Sequence, residues 1–75
     1  MNNFVICIDN KNNSASLIIG KVYRTIPDAK AMKLNLIRVI DEDQSEPDGY
    51  LYPESMFAAI ELPKAAEQAL MTANH

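Results

Sequence analysis

The sequence predicts an all-β domain, with five short strands closed into a small barrel around one core and a short α-helix at the C-terminal end. Three observations predict it. Brief apolar or alternating runs rich in β-branched and aromatic residues recur along the chain, Gly, Pro, Asn and Asp punctuate them at short intervals, and only the tail carries apolar residues at helical spacing. Closure is expected because five strands sharing one core would otherwise leave two exposed sheet edges.

The run "NFVICI" is continuously apolar and ends at "DNKNNS", which predicts a strand and then a loop. "SLIIGKVYRTIP" predicts two extended pieces, 17–19 and 22–26, broken at Gly20, where a turn or bulge takes backbone angles other residues avoid. Pro27 closes the second piece. In "DAKAMKLN" the residues Ala29, Ala31, Met32 and Leu34 form no clean stripe, so a loop is expected. "LIRVID" alternates, sending Ile37 and Val39 one way and Arg38 the other, as in a strand with one wet face. "GYLY" reads as a strand broken by Pro53, "ESM" as a short turn and "FAAIEL" as the last strand. In "PKAAEQALMTANH", Pro63 suits a first helical turn, and Leu62, Ala66, Ala69, Leu70 and Ala73 fall on one stripe. Such a short helix is marginal alone and must lean on the sheet, lean on a second copy, or fray.

With 75 residues the chain has room for one domain, 1–75, the barrel taking 3–62 and the helix 63–73. A domain of this size buries only about 60% of its unfolded surface, so one core is all it can build. Its 48% hydrophobic and 23% charged residues place it among globular chains rather than disordered ones. Cys7 is the only cysteine, which excludes an internal disulfide and a cysteine-ligated zinc site. A reducing compartment is expected. The first residues lack a basic leader, and no run reaches the ~20 apolar residues of a membrane helix, so a cytoplasmic location without membrane contact is the expectation. The net charge of −3 argues against a nucleic-acid partner, yet it is uneven: residues 1–40 carry six cations against two acids, and 41–75 carry Lys64 against eight acids.

The order of pieces resembles an SH3-like barrel. "SLIIGKVYRTI" resembles the diverging turn of that fold, and "YLYPESMFAAIEL" is similar to its closing segment, where a proline and a short helical turn precede the last strand. "GKVY", "RVIDE" and "YLYP" together resemble a group of small, uncharacterised bacterial SH3-like proteins, the likeness covering roughly residues 17–62 and implying fold rather than function. SH3 domains grip proline-rich helices between aromatic rings, usually including a tryptophan. Here there is no tryptophan: its place falls near Leu36, the last ligand tyrosine's near Met56, and only Pro53 matches. The 9–16 loop is also shorter than the family's acidic ligand-selecting loop, so proline-rich peptides are not expected partners.

The stretch "DEDQSEPDG" holds five carboxylates and invites a calcium reading. Counted from Asp41, however, Glu46 stands where a calcium loop needs glycine and Tyr52 where it needs a bidentate glutamate. A solvated hairpin connection ending in the turn signal "PDG" is the expectation, with no metal and no cofactor. Paired acid–base carboxylates would need an apolar pocket around one of them, which a polar loop does not supply. Cys7 lies within an apolar run and reads as a small core residue, and the only histidine, His75, is the last residue, so no nucleophile–base pair of the usual kind is available. "GKVY" lacks the frame of a phosphate loop. The chain is therefore not expected to be an enzyme.

Tyr50 and Tyr52 share one face of their strand, and the alternation alone leaves open which face meets the core. The resemblance implies Tyr52 inward. The candidate partner-binding residues are Leu36, Arg38, Tyr50, Tyr52 and Met56, expected to form an amphipathic patch, with the apolar side of the terminal helix as a second candidate surface. The expected function is a non-catalytic protein–protein interaction or regulatory module that binds another protein or itself. The alternative is a nucleic-acid module in which Lys21, Arg24, Lys30, Lys33 and Arg38 share a face.

Overall fold

The computed structural model describes residues 4–43 and 45–73. In chain order it runs β1 (Phe4–Cys7), β2 (Val22–Ile26), α1 (Ala29–Lys33), β3 (Leu36–Ile40), β4 (Tyr50–Pro53), a 3₁₀ turn (Glu54–Met56), β5 (Phe57–Ile60) and α2 (Lys64–Ala73). The strands form one antiparallel sheet in the order β4-β3-β2-β1-β5. The ladders do not close into a ring. Among the described residues β4 and β5 are the two edges, joined only by the 3₁₀ turn, so the ladders form one five-stranded antiparallel, mainly β sheet rather than a closed ring.

Register assigns every strand residue to a face, because directly opposed residues lie on the same side. One face carries Val5, Cys7, Tyr23, Thr25, Ile37, Val39, Tyr50, Tyr52, Phe57 and Ala59; the other carries Phe4, Ile6, Val22, Arg24, Ile26, Leu36, Arg38, Ile40, Leu51, Pro53, Ala58 and Ile60. The core lies on the first face, where Val5, Cys7, Tyr23, Val39, Tyr52 and Phe57 pack with Leu17 from the 8–21 loop and Met56 from the 3₁₀ turn. The Cα radius of gyration, 11.7 Å, matches the ~11 Å of a compact domain of this length.

Two expectations are corrected. Residues 17–19 are not a strand. Asn13 O accepts from Ser16 N and Leu17 N, and Asn10 Nδ2 donates to Leu17 O, so the segment coils back and uses Leu17, 0% exposed, as a plug in the core. Gly20, at φ +84, then turns the chain into β2. The second correction is "DAKAMKLN", which contains helix α1 rather than a plain loop. Asp28 Oδ1 accepts from Lys30 N at 3.0 Å and Ala31 N at 3.1 Å, capping the helix start, and Asn35 in the left-handed region (φ +57) ends it. One buried residue, Ala31, suffices to seat so short a helix against β3.

α2 forms where the alanine-rich stripe predicts. Leu62, Ala66 and Leu70 are half-buried, Ala69 is exposed, and none of the helix's described side chains is fully buried. No helix among the described residues is long and apolar enough to cross a membrane.

Candidate functional site

The site grows from the connection between β3 and β4. Asp41 follows the last residue of β3, and its Oδ1 accepts Asp43 N at 2.9 Å. Asp43 Oδ1 accepts Ser45 N at 3.1 Å and Glu46 Oε1 accepts Asp48 N at 3.3 Å. Each acid thus folds the loop by bonding the backbone two residues on. Gly49, at φ +68, returns the chain to β4, and a Cβ there would stand 2.5 Å from Val39 O. Only glycine fits that close approach.

Three further carboxylate oxygens bind tyrosines. Asp41 is 2% exposed, and its Oδ2 accepts the Tyr52 hydroxyl in a short hydrogen bond. Burial first, and the bond to Asp41 second, push the Tyr52 hydroxyl up to about 12. Asp43 Oδ2 accepts the Tyr50 hydroxyl at 3.2 Å, and the Asp43 carboxyl is held below its ordinary value chiefly by hydrogen bonds from Ser45. Glu42 Oε2 accepts both the Tyr23 hydroxyl and Lys21 Nζ at 2.6 Å. Lys21, then Tyr23, lower the Glu42 carboxyl, while burial and Glu42 raise the Tyr23 hydroxyl. Tyr23 Oη also accepts Ile18 N at 2.8 Å, and Glu42 N donates to Ser16 O at 3.0 Å, so the acidic connection is tied to the 8–21 loop.

Between these two loops and β4 lies an open cleft of about 390 Å³, lined by Asn13, Ser16, Asp41, Asp43, Tyr50, Leu51 and Tyr52. Its floor is the Asp41–Tyr52 pair, and its rim is Tyr50 and Leu51, 39% and 44% exposed. Among the described residues no three His, Cys, Asp or Glu side chains gather to hold a metal ion. The Cys7 thiol is buried, donates weakly to Asp9 O, and is raised mainly by desolvation. His75 lies outside the described residues.

The five candidate contact residues do not form one patch. Tyr52 and Met56 are buried in the core, and Tyr50 is exposed on the same sheet face as Tyr52. Leu36 and Arg38 are half-buried on the opposite face, because the register pairs Leu36 with Pro53 and Arg38 with Leu51. Arg38 is occupied there: its Nε and Nη2 donate to Asp28 Oδ2 at 3.0 and 2.9 Å. The Asp28 carboxyl is lowered first by Ala31 N and then by Arg38. Of the five basic residues, Arg24 and Arg38 share the outer face, Lys30 and Lys33 sit on α1, and Lys21 is paired with Glu42. The residues missed from the sequence are Asn13, Ser16 and Leu51. Asn13 and Ser16 join the site only through long-range loop contacts, which no local spacing encodes, whereas the outward position of Leu51 was readable from alternation.

Compared with known proteins, the chain matches no family model, no curated protein and no solved structure.

Proposed function

We propose that this chain is a small, non-catalytic binding module of SH3-like type that docks a protein partner at the cleft beside β4. The observation that carries the reading is Tyr50: an exposed ring at the mouth of the cleft, fixed by its bond to Asp43 and next to the exposed Leu51. An oriented aromatic and an aliphatic side chain beside the exposed Asp43 carboxylate suit a partner segment that offers an apolar residue next to Lys or Arg. A non-catalytic role is supported by the carboxylates of the cleft, which bind this chain's own tyrosines and backbone instead of converging on an empty point.

The barrel part of the proposal is supported by connectivity. In a flat five-stranded sheet the edge strands would stand about 19 Å apart, whereas the 3₁₀ turn joining them advances only about 6 Å. The sheet must therefore curl until β4 and β5 approach, and the rings of Tyr52 and Phe57 do meet edge to face at 5.9 Å. A nucleic-acid role has less support, since Lys21 and Arg38 are each held by a carboxylate.

The test is affinity capture with immobilised wild-type chain and with Tyr50→Ala, alongside light scattering of the free protein. The proposal expects a protein retained by wild type, released by salt, and lost with Tyr50→Ala while circular dichroism is unchanged. A strict monomer that retains nothing, or equal retention by the variant, contradicts it.

A further inference from the structure

A second groove lies at the opposite edge of the sheet. It is open, about 380 Å³, and lined by Val5, Ile37, Phe57 and Ala59 with Glu54 and Ser55 at one end. Its long side is strand β5, and the backbone of that strand is only half used. Ile8 N donates to Met56 O, so along the β1–β5 ladder the pairs Ile6–Ala58 and Phe4–Ile60 exchange the hydrogen bonds. Cys7 N and Cys7 O bond instead to Lys21 O and Gly20 N, on the β2 side, which confirms the alternation. The backbone groups of Ala59 therefore point away from the sheet, as does Phe57 O, while Phe57 N is taken by Glu54 O. Among the described residues nothing pairs with Ala59 N or O.

Natural sheets usually guard such an edge with a charged side chain, a proline or a bulge. β5, "FAAI", has none of these. Ala59, exposed, leaves room over Val5 and Ile37 for a side chain from outside. The two carboxylates bracketing the strand, Glu54 and Glu61, are both exposed. A basic segment would meet them favourably.

From the unpaired edge, the apolar groove and the bracketing acids we infer a second docking site: β5 accepts an extended peptide as an added strand. The peptide's alternate side chains are aliphatic and enter the groove, and its remaining residues include Lys or Arg facing Glu54 and Glu61. Backbone bonds to Ala59 supply affinity and the groove supplies selection. The site stands apart from the cleft beside β4 and does not depend on it.

The probe is a capped peptide of alternating Val and Lys, about eight residues, an ordinary strand length, titrated into isotopically labelled full-length protein. Amide shifts of Phe57, Ala59 and Val5 should move and saturate, and exchange at Ala59 N–H should slow. Replacing Lys by Glu in the peptide, or making Glu54→Lys with Glu61→Lys in the protein, should weaken binding about tenfold. Ala59→Pro should abolish it, and the charge-reversal variant keeps the test valid if Ala59→Pro does not fold. Shifts confined to residues around Tyr50, no shift at millimolar peptide, or a dimer that already protects Ala59 without peptide would each overturn the inference.

Discussion

The two edges of the sheet carry grooves of nearly equal size, one with buried and exposed carboxylates among its lining and the other more apolar. Beside β4 the walls mix polar and apolar groups, and every charged oxygen on the floor is bonded to a tyrosine or a backbone N–H from this chain. Beside β5 the walls are apolar, and the backbone of Ala59 is left without a partner. β4 also ends in Pro53, which has no N–H to offer, whereas β5 contains no proline. The β4 cleft is built by internal side-chain hydrogen bonds that also stabilise the fold, while the backbone edge beside it is not sealed: Glu54 N donates to Asn35 O, so the pairs Ile37–Tyr52 and Val39–Tyr50 exchange the ladder bonds and Leu51 N and O point outward as those of Ala59 do. The β5 edge contributes Phe57 to the core and its ladder to β1, and leaves Ala59 outward and available to bind.

Substitutions sharpen that contrast. Leu17→Ala should be most damaging, because it empties a fully buried position that anchors the 8–21 loop over the β4 side; a loss of about 2–5 kcal/mol is expected in urea unfolding. Gly49→Ala forces a left-handed alanine against Val39 O and should cost more than ~2 kcal/mol, whereas Gly20→Ala, with open space around it, should cost about 1–2 kcal/mol; paired melts decide the order. Tyr52→Phe leaves Asp41 buried without its hydroxyl partner, and about 1–3 kcal/mol should be lost. On the other edge, Ala59→Ser should stay within ~0.5 kcal/mol of wild type, as befits an exposed position. A large loss there would erase the distinction between the edges.

Titration provides the mildest test. Asp28, Glu42 and Asp43 ionise below their ordinary values of 3.8, 4.5 and 3.8, so in acid the unfolded chain binds more protons than the folded one. Stability held above these values should fall as pH drops through 4.5 and below 3.8. In alkali the sign is opposite for pH itself. Tyr52 moves from 10.0 to about 12 on folding, so the folded chain keeps a proton that the unfolded chain gives up, and stability should decline as pH rises from 10 toward 12. Ultraviolet titration of the three tyrosines should show Tyr50 ionising before Tyr23 and Tyr52.

The strands were legible because each carries an apolar run or an alternation that a sheet with a core face enforces: β2 and β3 fall where "VYRTI" and "LIRVI" stand in the sequence. The loop reading of 28–35 failed because the signals for α1 are its ends, Asp28 and Asn35, rather than a stripe. The strand reading of 17–19 failed because Leu17 is buried from a loop, and hydrophobicity alone does not distinguish the two. The proposed contact patch failed on register: Leu36 and Tyr50 are both near β4, yet they belong to opposite faces. Pairing across strands fixes that, and no property of either segment alone contains it.

The central claim, a β5 edge whose outward backbone groups at Ala59 have no partner, is tested most directly by amide hydrogen exchange in the dilute, peptide-free monomer. Ala58 N–H, bonded to β1, should exchange slowly, and Ala59 N–H, its neighbour on the same strand, should exchange at a rate near that of an open chain. Equal protection at the two positions would contradict the account.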